Sequence, residues 1–242
     1  MSIEIIDLTK EYKDIKALDN LNLVINDNEL FSLLGLNGAG KTTLIKILST
    51  LTRPTKGIVY INNYSILKDD LKIKEIIDIS LQETSIARNL TVLENIKFYG
   101  KLNALEEDEL NERLEYLIDV FNLDKVKNKK AKKLSGGYQR KLSILLALLK
   151  KPKILFLDEP TLGLDVIARK ELWSIIKKLK KEMTIILTTH YMEEAEMLSD
   201  RIGILNEGKL LFVGDKDSLY SLTNEEKVED AFIKIVGDSY EK

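Results

Sequence analysis

Apolar and polar positions alternate over three short stretches near the start of the chain, Ile3–Leu8, Leu21–Ile25 and Glu29–Leu34, and a period of two predicts strands there. The third stretch runs into Gly35-Leu36-Asn37-Gly38-Ala39-Gly40-Lys41-Thr42-Thr43, after which Leu44, Ile45, Ile47 and Leu48 recur at helical spacing. Arg53-Pro54-Thr55-Lys56-Gly57 turns the chain into a strand at Ile58–Ile61. A short helix near Asp69–Glu75 then leads to the strand Ile76–Leu81, which ends at Gln82. From Thr91 to Leu149 the period becomes helical. Thr91-Val92-Leu93-Glu94 has the form of a capping box, and Leu110, Leu114, Leu117, Ile118 and Phe121 share one face of a helix over Glu106–Phe121. A further helix opens at Leu134-Ser135-Gly136-Gly137-Tyr138-Gln139 with Ser135 as its N-cap. Beyond it, the apolar strand from Lys153 to Leu157 ends in Asp158-Glu159-Pro160, and the strand Met183–Thr188 delivers Thr189-His190.

This pattern gives the glycine loop a chemical meaning. Strand, G-x-x-x-x-G-K-[ST] and helix form the context in which backbone N–H groups and a helix N-terminus face a phosphate. Gly35, Gly38 and Gly40 let the backbone turn, Lys41 supplies a point charge, and Thr42 offers a hydroxyl to Mg²⁺. Two adjacent carboxylates at a strand end beside such a loop need a cation or a catalytic role. Asp158 suits the Mg²⁺ shell and Glu159 a base for water. Tyr12, shortly before the loop, could stack on a base or simply sit on an edge strand. His190 is the only histidine, and a lone histidine is commonly a satisfied core or surface residue.

Composition narrows the function classes. The 242 residues are 44% hydrophobic and 31% charged with a net charge of −2, enough to bury one substantial core without a global basic field that would call for nucleic acid. Lys125, Lys127, Lys129, Lys130, Lys132 and Lys133 form a basic run without interleaved aromatics, which reads as a solvated loop. The absence of cysteine excludes disulfides and thiolate metal sites. Acids stand in the first seven residues where a signal peptide needs a basic and then apolar stretch, and the apolar segment Leu142–Leu149 is far too short to span a bilayer. The expectation is therefore a cytoplasmic protein whose membrane function, if any, is supplied by another chain.

Together these motifs resemble those of the ATP-binding cassette (ABC) ATPases, in that family's order. Gly35 to Thr43 resembles Walker A, Gln82 the Q-loop, Leu134 to Gln139 the signature, Ile154 to Pro160 Walker B, Gly163-Leu164-Asp165 the D-loop, and His190 the switch histidine. The resemblance implies ATP and Mg²⁺ as cofactors. Tyr12 would stack on adenine; Gly35, Asn37, Gly38, Ala39, Gly40, Lys41, Thr42 and Thr43 would cradle phosphates; Thr42, Gln82 and Asp158 would serve the metal; and Glu159, His190 and Gln82 would carry hydrolysis. Ser135, Gly136, Gly137 and Asp165 would act on the nucleotide of an opposing subunit.

The implied fold is a P-loop α/β core with a predominantly parallel sheet, a small antiparallel β subdomain from the N-terminal strands and an inserted helical subdomain. The implied division is 1–85 and 152–215 for the core with its β subdomain, 86–151 for the helical signature subdomain and 216–242 for a short helical tail. The implied partners are a separate transmembrane permease subunit and a second ATPase subunit, identical or not, at the cytoplasmic face of the membrane, with no nucleic acid. Asn37, Arg169-Lys170-Glu171-Leu172-Trp173 and Val228 to Ile235 resemble the drug, lipid and polysaccharide export branch. Val166, where proline often follows the D-loop, and Tyr138, where Gln or Met is common, depart from the pattern.

Two other classes make different demands on the chain. A chromosome or DNA-repair ABC ATPase should carry a long coiled coil or zinc insertion, but only about two helices fit between Gln82 and Leu134. A translation-factor ABC protein needs two cassettes, and no internal repeat is present.

Overall fold

The structure is a computed structural model and describes residues 2–240. Its strands form two sheets. The smaller contains β1 (Ile3–Tyr12), β2 (Ile15–Ile25), β4 (Lys56–Ile61) and β5 (Tyr64–Ser65), all antiparallel, in the order β2-β1-β4-β5. Pairing of β1 with β2 continues to Tyr12, beyond the apolar alternation that stops at Leu8. Register shifts between Ile5 and Leu8 and again before Lys10 and Glu11, with Asp7 at φ +50°, break the period of two while the ladder goes on.

The larger sheet runs β10-β9-β3-β8-β7-β6, built from β3 (Leu30–Leu34), β6 (Ile77–Ser80), β7 (Ile154–Asp158), β8 (Thr184–Thr189), β9 (Arg201–Asn206) and β10 (Lys209–Gly214). Only the β9–β10 pair is antiparallel. Strands β3, β7 and β8 are buried at every residue, as their continuous apolar runs require of a sheet covered on both faces. Alternate residues of β7 serve two cores. Ile154 and Phe156 join α1 (Lys41–Leu48) and the antiparallel sheet, whereas Leu155 and Leu157 join the helices of the other face.

Those helices are α3 (Val92–Leu102), α4 (Glu107–Val120), α5 (Gly136–Ala147) and α6 (Val166–Leu179), with α2 (Asp70–Ile76) preceding β6. The boundaries of α2, α3, α4 and α5 fall within one or two residues of the sequence expectation, in which α6 has no counterpart. The capping box at α3 is formed in full: Glu94 N–H donates to Thr91 Oγ1 (3.1 Å), and Thr91 N–H donates to Glu94 Oε2 (2.7 Å). Ser135 occupies the N-cap of α5 but its hydroxyl makes no capping bond. The lysine run forms exposed turns leading to α5, with Val126 and Ala131 turned inward.

Helices α7 (Met192–Leu198), α8 (Lys216–Thr223) and α9 (Val228–Tyr240) share a third cluster in which Leu219, Val228 and Phe232 pack with Leu34, Ile202 and Ile204. Among the described residues no helix is long and apolar enough to cross a membrane. Because β3, β6, β7 and β8 are parallel, the loops that follow them open at one edge of the sheet, where α/β folds bind ligands.

Candidate active site

The first of these loops is Gly35–Gly40. Gly40 is the N-cap of α1 at φ +108°, and a Cβ there would lie 2.5 Å from the Ala17 carbonyl oxygen, so glycine is required both by conformation and by space. Helix α1 begins at Lys41, directing its N-terminus at the loop. The Lys41 side chain folds back into this concavity. Its Nζ donates to Gly35 O (2.8 Å) and Leu36 O (3.2 Å), and lies 3.4 Å from Glu159 Oε1. Burial pushes the ammonium pKa below its usual value, against the opposing pull of Glu159 and Asp158.

The end of β7 divides its two carboxylates. Asp158, 1% exposed, accepts from Thr42 Oγ1 (3.1 Å to Oδ2) and from Thr188 Oγ1 (2.5 Å to Oδ1). Glu159 follows at φ +46°, a left-handed backbone held by its N–H donating to Thr188 O and Oγ1, both at 3.1 Å. That kink carries the second carboxylate to the other side, toward Lys41 and His190. Glu159 Oε2 is 3.2 Å from His190 Nδ1, although that nitrogen makes no hydrogen bond.

The resulting cleft has a volume of about 680 Å³ and is lined by Leu36 to Thr43, Gln82, Glu159, Leu162 and His190, with Ile15, Lys16, Ala17 and Glu207 at its sides. Segments far apart in sequence thus bring together most of the expected residues. Tyr12 does not line the cleft. It sits 44% exposed at the end of β1, opposite Ile15, with Lys10 Nζ 4.7 Å from its ring centre.

Ser135, Gly136 and Gly137 are also outside it. Ser135 and Gly136 are exposed, and a Cβ on Gly136 would meet nothing within 4 Å. A Cβ on Gly137 would approach that of Ala168 to 2.9 Å, so this glycine permits α5 to start against α6. Asp165 caps α6, its Oδ1 accepting from Ile167 N–H (3.0 Å) and Ala168 N–H (2.9 Å).

Arg140 belongs to none of the motifs legible in the sequence. It is 4% exposed, and its guanidinium donates to Pro160 O (2.9 Å), Asp158 O (2.9 Å) and Leu81 O, tying the start of α5 to the backbone just before Gln82 and around the carboxylate pair. Burial lowers its pKa to about 10, leaving it charged at neutral pH. The available signal is a charge four residues before Ile144, on the face that a helix buries.

A family model described as ABC transporter matches residues 18–162. Over 202 residues the chain is 40% identical to the phospholipid-transporting ATPase ABCA3 of Homo sapiens, a match covering 84% of this chain and 12% of that protein. It is 40% identical over 206 residues to ABC transporter A family member 3 of Arabidopsis thaliana, covering 84% and 22% respectively. The chain therefore spans less than a quarter of the length of these relatives. Among solved structures, an ATP-binding subunit of an ABC transporter superimposes with a TM-score of 0.86 at 27% identity, over 98% of this chain and all of that one. A dimeric ATP-binding cassette in a post-hydrolysis state, bound to ADP and Pi, superimposes with a TM-score of 0.78 at 30% identity, over 88% and 98%.

Proposed function

The chain belongs to the ABC transporter family as an ATP-binding cassette, and from that premise we propose that it hydrolyses Mg-ATP to power export through a separate membrane-spanning permease, at the cytoplasmic face of the membrane. The observation that carries the hydrolytic part is the convergence of Lys41, Glu159, His190 and Gln82 on one cleft. The transporter names of the relatives support transport over DNA repair or chromosome maintenance.

Within that cleft, the N–H groups of Gly38 to Thr43 and the Lys41 ammonium bind the phosphates. Thr42 and Asp158 already bring their oxygens within 3.1 Å of each other and would hold Mg²⁺, with Gln82 at the cleft wall as a further oxygen donor. The ion would offset phosphate charge and orient the terminal phosphoryl group. Glu159 orients the attacking water and takes its proton. His190 donates to the phosphoryl oxygens as charge builds, and Tyr12 stacks on adenine from the hairpin end next to Ile15.

The signature acts in trans. Ser135, exposed and with no capping bond from its hydroxyl, and Gly136, with open space above it, lie outside their own cleft, which suits them to close on the ATP of a second subunit across a two-fold axis. Asp165 lies beside them, at the N-terminus of α6.

Turnover by the purified chain tests the assignment. His190→Ala is expected to lower kcat about 10²–10³-fold, the cost of losing one preorganised donor. Normal turnover would return His190 to the ordinary structural histidine.

A further inference from the structure

Among the described residues, five buried side-chain polar atoms lack a hydrogen-bond partner: Thr50 Oγ1, Thr161 Oγ1, Arg169 Nε, His190 Nδ1 and Glu194 Oε2. All but Thr50 belong to two segments, 161–169 and 190–194, that pack against each other beside the cleft. Unpaired buried polar groups are costly and uncommon, so four in one junction call for an explanation.

Glu194 is at the centre of that junction. It is fully buried on α7, the helix that begins two residues after His190. Its Oε1 accepts from Trp173 Nε1 on α6 at 2.9 Å. Thr189 and Thr161 turn their hydroxyls toward the carboxylate and Arg169 its charge; with the indole they oppose the upward push of burial on its pKa, although neither hydroxyl closes a well-aligned bond to Oε2.

Both residues flanking His190 are engaged from this side. Thr189 Oγ1 accepts from Tyr191 N–H at 3.0 Å, and the Tyr191 ring lies 4.6 Å beneath the Arg169 guanidinium. The Tyr191 ring in turn packs 4.3 Å from the imidazole. Trp173 and Arg169 both belong to α6, whose first turn Asp165 caps.

We propose that Glu194 is the positioning residue of His190: its carboxylate joins the backbone around the histidine to α6, so that the switch histidine and the Asp165 end of α6 move as one body. The inference rests on the role proposed for His190. It explains why a carboxylate stands where a leucine would fill the space without desolvation cost. It also accounts for the unpaired atoms, because a junction whose polar groups are not all paired has a second arrangement available to it.

His190 is the only histidine in the chain, so its imidazole signals in an NMR spectrum report on this site alone. Glu194→Gln keeps the shape and the acceptor for Trp173 but loses the charge that Thr189, Thr161 and Arg169 face. The expected result is a shifted or split imidazole signal, a thermal midpoint within about 2 °C of the parent, and kcat lowered about 10–100-fold with KM within about twofold. In a His190→Ala background the same substitution should cost less than about threefold, because a residue acting through another is silent once that other is gone. Trp173→Phe removes the indole donor from the opposite side and should perturb the same imidazole signal, which keeps the test open if Glu194→Gln folds poorly.

An unchanged imidazole spectrum in both variants overturns the proposal, as does a Glu194→Gln loss that is fully additive with His190→Ala. If His190→Ala alone leaves turnover normal, the role of His190 fails and this inference with it. If His190→Ala is impaired and Glu194→Gln is normal, only the inference fails.

Discussion

The Lys41 ammonium lies 3.4 Å from the Glu159 carboxylate, so an anion of the protein itself stands beside the cation proposed to bind phosphate. Lys41 also donates its protons to the Gly35 and Leu36 carbonyls of the loop that is to receive phosphate. Nucleotide binding must therefore exchange one anion for another around a buried cation. Glu159→Gln removes the competing charge, so it should lower turnover about 10²–10⁴-fold while ATP binds as tightly as in the parent or tighter. Lys41→Ala should instead weaken ATP binding itself. Equilibrium titration with a fluorescent nucleotide distinguishes the two, and weaker binding by Glu159→Gln would contradict the exchange.

Asp78 offers a test of the fold independent of nucleotide. On β6 its carboxyl accepts from Ile79 N–H at 2.7 Å, yet burial still raises its pKa from 3.8 to about 6, with Lys150 giving only partial relief. A carboxyl whose folded pKa lies above its unfolded value binds the proton more tightly when folded. Its contribution to stability is present at low pH and is lost as pH rises from about 4 through 6. Asp78→Asn should accordingly stabilise the protein by about 1–3 kcal/mol at pH 7.5 and give no gain at pH 4. Thermal melts of parent and variant at the two pH values decide it. Equal midpoints at pH 7.5 would count against the buried charge.

Two glycines should respond in opposite ways to alanine. At Gly40, the positive φ and the 2.5 Å approach to Ala17 O predict a loss of about 1–3 kcal/mol in the monomer. At Gly136 there is open space, so the monomer should melt unchanged, whereas ATP-dependent association should weaken tenfold or more because the new methyl enters the opposing site. A destabilised Gly136→Ala monomer would mean that the glycine serves its own fold.

Much of the cleft is readable from sequence because the phosphate loop, the carboxylate pair and the histidine each follow a short apolar strand. The strand gives the direction, and the motif gives the chemistry. Their convergence needs the strand order β3-β8-β7, which no local pattern encodes. Arg140 and Glu194 escape for a different reason. Each is a charge on the buried face of a helix, which helical periodicity reads as a polar interruption, and only the tertiary fold supplies the carbonyls or the indole that satisfy it. Ser135 is legible as a helix start, but the capping bond that its residue type suggests is not made. The hydroxyl is left free at the surface, consistent with a partner outside this chain.

Whether the signature completes the site of a second subunit is measured most directly by light scattering on two variants. With Mg-ATP, Glu159→Gln should change from monomer to dimer, because the triphosphate joining the two surfaces is not consumed. Adding Ser135→Arg should abolish the dimer while each monomer still binds ATP through Lys41 and Thr42. A double variant that dimerises with ATP as readily as Glu159→Gln alone would contradict a signature acting in trans.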